Sequence, residues 1–132
     1  MIKRTSIGNE NILSVKVIED LNNDDMDWLT TLIDKKANDD KVQNILLYIE
    51  FEDFADMSIE NMIKYFKLFI SKGHNLMQRV SRAAAITDDT MLANKLALEF
   101  SLLPSTKFKS YKPEHKENAL QWLRGDELVE PV

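Results

Sequence analysis

Five consecutive apolar residues, Ile45-Leu46-Leu47-Tyr48-Ile49, constrain this chain more than any other stretch. The run is far shorter than the ~20 residues that cross a bilayer. It also offers no polar side to water. It fits a strand covered on both faces, as in a parallel sheet layered with helices. An acidic loop comes next, Glu50-Phe51-Glu52-Asp53-Phe54-Ala55-Asp56-Met57, and then Ser58 ahead of IENMIKYFKLFIS. There Ile59, Met62, Ile63, Phe66, Phe69 and Ile70 recur at helical spacing. Asn44 to Ser71 therefore reads as buried strand, acidic loop and amphipathic helix, and the rest of the chain is arranged around it.

Around that unit the same logic gives an order. Residues 2–7 form a short edge strand, and Gly8-Asn9 a turn, since both residue types tolerate positive φ. Asn11 to Glu19 alternates Leu13, Val15 and Val17 on one face, a second strand. The spacing predicts a helix over 24–38, opened by an Asn or Asp cap and carrying Trp28, Leu29, Leu32 and Ile33 as its apolar stripe. Gly73 is placed to end the central helix. Arg79 to Thr87 is an alanine-rich strand whose small residues let a helix approach closely, and Asp88-Asp89 caps the next helix. That helix, Thr90 to Leu103, has Leu92, Leu96, Phe100 and Leu103 on one side. Lys107 to Tyr111 is a peripheral strand, and Pro113 opens a last helix anchored by Ala119, Leu120, Trp122 and Leu123. Alternating βα units imply a largely parallel sheet with right-handed crossovers and an antiparallel N-terminal edge strand. Residues 1–125 form one domain in this reading, and 126–132 a short tail.

Composition removes several classes of function. With 132 residues the chain suits one domain that buries roughly two-thirds of its unfolded surface. A net charge of −5 opposes general nucleic-acid binding, which needs a basic footprint. The absence of cysteine removes disulfides, thiolate nucleophiles and cysteine metal sites. The N-terminal stretch has no signal-peptide core, so the cytoplasm is the expected compartment. No metal or cofactor is expected. His74 and His115 lack ligand spacing and are expected to face solvent.

The order and spacing of LLYIEFEDFADMS, the helix after it, the strand entering AAAITDD and the terminal ENALQWL resemble the SpoIIAA-like branch of STAS domains. That branch is related in fold to CRAL-TRIO lipid-binding domains. The resemblance covers residues 2–124. It implies an α/β sandwich: a mixed, mostly parallel sheet of four to five strands flanked by four helices. It also implies a non-catalytic module. Some relatives antagonise anti-sigma factors by binding them, and others are proposed to hold apolar ligands. The antagonists are phosphorylated on a serine in an Asp-Ser-Ser-Gly-like turn; the turn here is Asp56-Met57-Ser58-Ile59, without the glycine.

Ser58 is the sharpest functional candidate, either a phosphorylation site or a plain helix N-cap. Asp53, Phe54, Asp56, Met57 and Glu60 make a candidate partner-binding rim. Met62, Tyr65, Phe66 and Phe69 make a candidate apolar-ligand or dimer face, for which core packing is the ordinary alternative. In a parallel sheet the loops after the strands share one edge, where α/β sheets bind ligands. Glu19, Asp20, Asp24, Asp25, Asp27, Glu50, Glu52, Asp53, Asp56, Asp88 and Asp89 would all collect there. Such an edge repels nucleotides and suits a basic protein or a weakly held divalent cation, while helix capping accounts for many of the same acids. A phospho-acceptor site would need Glu19-Asp20, Asp53, Thr87 and Lys109 together, but the central strand ends in Glu50 and one βα unit is missing. The expected partner is a protein or a second copy of the chain, with a small apolar ligand as the alternative.

Overall fold

The sheet has five strands in sequential order, β1 (Ile2–Arg4), β2 (Ile12–Val17), β3 (Ile45–Phe51), β4 (Val80–Ile86) and β5 (Lys107–Tyr111). The computed structural model describes residues 1–5, 12–18, 21–38, 44–52, 59–72 and 77–125. The turn Gly8-Asn9, Gly73, His74 and the tail 126–132 lie outside them. β1 is antiparallel to β2, and β2 through β5 are mutually parallel. The apolar run is thus the middle strand, as its composition requires.

Three crossovers join the parallel strands. They carry α1 (Asn23–Ala37), α2 (Ile59–Lys72) and α3 (Thr90–Phe100). Each leads to the next strand in the same direction, so right-handed connection puts all three helices on one face. One core cluster joins Leu29 and Ile33 of α1, Met62 and Phe66 of α2, and Leu92, Leu96 and Phe100 of α3 to Leu13, Val15, Ile45, Leu47, Ile49, Ala83 and Ala85 of the sheet. The opposite face carries α4 (Lys116–Leu123), entered through a 3-10 turn, Pro113–His115. There Ala119, Trp122 and Leu123 pack on Ile12, Tyr48, Ala84 and Ile86. Two-residue alternation along β3 and β4 sends neighbouring side chains to the two cores.

The alanine strand gains its place from this arrangement. Ala83, Ala84 and Ala85 are fully buried. Their small side chains let helices approach β4 from both sides. The helix ends obey local chemistry. Asn22 Oδ1 accepts from the Asp25 amide while an Asp25 carboxylate oxygen accepts from the Asn22 amide, a reciprocal capping box. Asp89 Oδ1 accepts from the Leu92 amide. Gly125, at φ +85°, closes α4, and its amide donates to the Trp122 carbonyl.

One stripe differs from its sequence reading. The buried line of α1 is Met26, Leu29, Ile33 and Ala37, while Leu32 is partly buried and Trp28 is 37% exposed. Steps of three and four residues hold a helix stripe on one side. Trp28 is one residue from Leu29 and therefore falls roughly 100° away from it.

Candidate functional site

Because β2 to β5 run parallel, their C-terminal ends share one edge with the N-termini of α1, α2 and α3. Register sets what meets there. Lys16 lies directly opposite Glu50, and the Glu52 amide extends the ladder by donating to the Val17 carbonyl. Lys16 Nζ lies 3.5 Å from Glu50 Oε2 and 3.8 Å from Glu52 Oε1. The other Glu50 oxygen accepts from the Tyr48 hydroxyl at 3.1 Å. Burial pushes the Tyr48 phenol well above its usual range, and the charges of Glu50 and Glu117 push it the same way. The result is a chain of contacts, Tyr48–Glu50–Lys16–Glu52, on the sheet face that carries α4.

Across the edge the acids divide by role. Asp25 and Asp89 are committed to helix caps, and the Thr87 hydroxyl oxygen accepts from the Asp89 amide at 3.0 Å. Glu50 and Glu52 are paired with Lys16. Asp24, Asp27 and Asp88 are exposed. Among the described residues no three acids or histidines come together in a group that could hold a metal ion. Glu60 stands exposed in the first turn of α2. Glu19, Asp20, Asp53, Phe54, Asp56, Met57 and Ser58 lie outside the described residues.

The α2 candidates sit mostly inside. Met62, Phe66 and Phe69 are buried, and Tyr65 is partly buried against the same core. The Phe66 ring lies 6.0 Å from Phe51 at the end of β3 and 6.4 Å, edge-on, from Phe69. Of the phospho-acceptor set, Glu19, Asp20 and Asp53 lie outside the described residues, Thr87 is buried just after β4, and Lys109 lies over the Trp122 ring at 5.4 Å. His115 is exposed.

Several contacts had no sequence signal beyond polar residues next to buried ones. Arg82 stands 5.3 Å from the Trp122 ring, and its guanidinium donates to the Trp122 carbonyl. With Lys109, the indole thus has two cations against it. Thr106, buried beside β5, donates to the Val80 carbonyl at 2.7 Å, and Arg79 donates to the Ala37 carbonyl at 3.1 Å.

This geometry has counterparts among known proteins. The SpoIIAA-like family model matches residues 12–124. A solved protein of the DUF3478 family from Shewanella loihica, with a SpoIIAA-like fold, is similar over 93% of this chain and 92% of that one, with TM-score 0.63 and 21% identity. A structure described as a probable enoyl-CoA hydratase from Mycobacterium thermoresistibile aligns over 98% of this chain and 81% of its own at 11% identity, but with TM-score 0.45 the likeness bears on nothing further. No curated protein matches the chain. No helix among the described residues is long and apolar enough to cross a membrane.

Proposed function

The chain belongs to the SpoIIAA-like family, and on that premise we propose that it is a non-enzymatic, STAS-like regulatory module of the cytoplasm that binds a basic protein partner. Its contacts come from the acidic edge at the start of α2: Asp53, Phe54, Asp56, Met57 and Glu60, with Ser58 as the residue that a phosphate would modify. The observation that carries the reading is the placement of the α2 N-terminus on the same edge as exposed Glu52 and Asp88. An edge of this charge repels phosphate-bearing small molecules and attracts lysine- or arginine-rich surfaces. The carrier reading is less favoured, because Met62, Phe66 and Phe69 already spend their apolar surface on the core.

The test is quantitative affinity capture from cells of the source organism, comparing wild type with an Asp53→Asn, Asp56→Asn, Glu60→Gln triple variant. The variant is expected to melt as wild type does and to lose its enriched partner. A partner set unchanged by the three substitutions sinks the assignment. So does turnover of any substrate that depends on Asp53 or Asp56.

A further inference from the structure

Helix α4 ends against a basic face. Arg82 of β4 lies directly opposite Lys107 of β5, and Lys109 follows two residues on, opposite Ala84. Alternate residues of a strand share a face, so all three cations stand on the side that carries α4. Arg82 and Lys109 both approach the Trp122 ring there, at 5.3 and 5.4 Å. Like charges facing each other across two strands repel. Lys107 and Lys109 are exposed and form no ion pair among the described residues. Further along, Lys112, Lys116 and Arg124 are offset by Glu114 and Glu117 alone, so residues 107–124 are basic in a chain of net charge −5.

The exit of the chain from α4 is fixed at the same place. The Arg82 guanidinium donates to the Trp122 carbonyl, and the Gly125 amide donates to that same oxygen. Gly125 is therefore held beside Arg82, and its φ of +85° turns the chain out of the helical path. Residues 126–132 lie outside the described residues and read Asp-Glu-Leu-Val-Glu-Pro-Val, with three acids and no cation. Seven residues reach about 23 Å when extended. A five-residue strand such as β5 is about 17 Å long, so the segment can span its lysines from that starting point.

We propose that residues 126–132 dock on the chain's own basic face, with Asp126, Glu127 and Glu130 set against Arg82, Lys107 and Lys109. The acids supply the charge that this face lacks, and they leave α4 next to it. A foreign acidic segment has to compete with one tethered beside the site, where a short link holds the effective concentration in the millimolar range. A second copy joined β5 to β5 brings lysine against lysine. Arg82 and Lys107 lie in the opening halves of β4 and β5, so the face is separate from the acidic edge at the other end of those strands. Exposed ion pairs are individually weak and are screened by salt, so the docked segment is a salt-sensitive clasp over the basic face.

Nitrogen-15 relaxation of the full chain reads the docking directly. At low salt the amides of residues 127–130 are expected to show order parameters above about 0.6, the level below which backbone is flexible. They are expected to fall below that level in the Lys107→Glu, Lys109→Glu double variant. The Asp126→Asn, Glu127→Gln, Glu130→Gln variant leaves the sheet untouched and should release the segment equally, which keeps the test open if the first variant fails to fold. Concentrated sodium chloride should release it in the wild type. Wild-type values below that level overturn the proposal, as does order that survives either variant or high salt. Order that appears only as protein concentration rises means docking on a neighbouring copy, and overturns it equally.

Discussion

The Tyr48 hydroxyl donates to Oε1 of Glu50, two residues further along the same strand, at 3.1 Å. The pairing is possible because alternate residues of a strand share a face. It holds a phenol in its neutral form against a carboxylate, with Lys16 on the carboxylate's other side. This relationship makes one contribution to stability in alkali.

The folded protein keeps the Tyr48 proton where an unfolded chain loses it, since burial and Glu50 raise the folded value above the ordinary ~10. The native state then binds more protons above that pH, so stability falls as pH rises from about 10, and the contribution is fully present below it. Tyr48→Phe should lower stability by ~1 kcal/mol near neutral pH, for the lost hydrogen bond. Its urea midpoint should then fall less steeply than that of wild type between pH 9 and 11 (a window of about one unit on either side of the free phenol value). Parallel slopes would show that Tyr48 is not the group responsible.

Lys16 separates Glu50 from Glu52, with N–O distances of 3.5 and 3.8 Å. Lys16→Gln leaves two carboxylates facing each other across partly solvated space. The expected loss is modest, ~1 kcal/mol, because such pairs are screened. Melts in low and high sodium chloride should show the gap to wild type closing as salt rises.

Ala84 is fully buried under α4, in the cluster that includes Ala119 and Trp122. Ala84→Leu should overpack that contact and cost about 1–3 kcal/mol in chemical denaturation. Ala84→Gly should cost much less than that steric penalty. A melt unaffected by leucine would mean that α4 shifts freely on the sheet.

Trp122 is 6% exposed and anchors α4 from the centre of the second core. Trp122→Ala should cost about 3–5 kcal/mol. Arg82→Lys should also destabilise, though less, because lysine lacks the planar fork that both donates to the Trp122 carbonyl and lies against the ring. Equal stability of Arg82→Lys and wild type would assign the contact to charge alone.

The element order was legible because each segment carries its own period. The two-sided strand Ile45–Phe51, the α2 stripe and the buried line Leu92, Leu96, Phe100 and Leu103 all stand where spacing placed them. The alanines of β4 were harder to read, since alanine favours helices on local grounds. Their place comes from helix approach on both sides, a tertiary demand that overrides propensity. Trp28 misled because bulk suggests burial, whereas its phase on α1 decides exposure. The contacts of Arg82, Lys109 and Thr106 join residues far apart in sequence, so no local pattern announces them. At the acidic edge, sequence named Asp88-Asp89 together as the cap of the next helix but not which of the two serves. Asp25 and Asp89 are spent on amides, whereas Asp88 is left open.

The sequential strand order also bears on synthesis. Each parallel strand pairs with the one made just before it, so a chain leaving the ribosome can grow its sheet at one advancing margin, strand by strand. The three-helix face closes as it grows. The other face must wait for α4, the last helix in the described chain, before Tyr48, Ala84 and Ile86 are covered. Until then a nascent chain holds a nearly finished sheet with one bare apolar side. During that interval the open apolar face is the surface on which a nascent chain can aggregate.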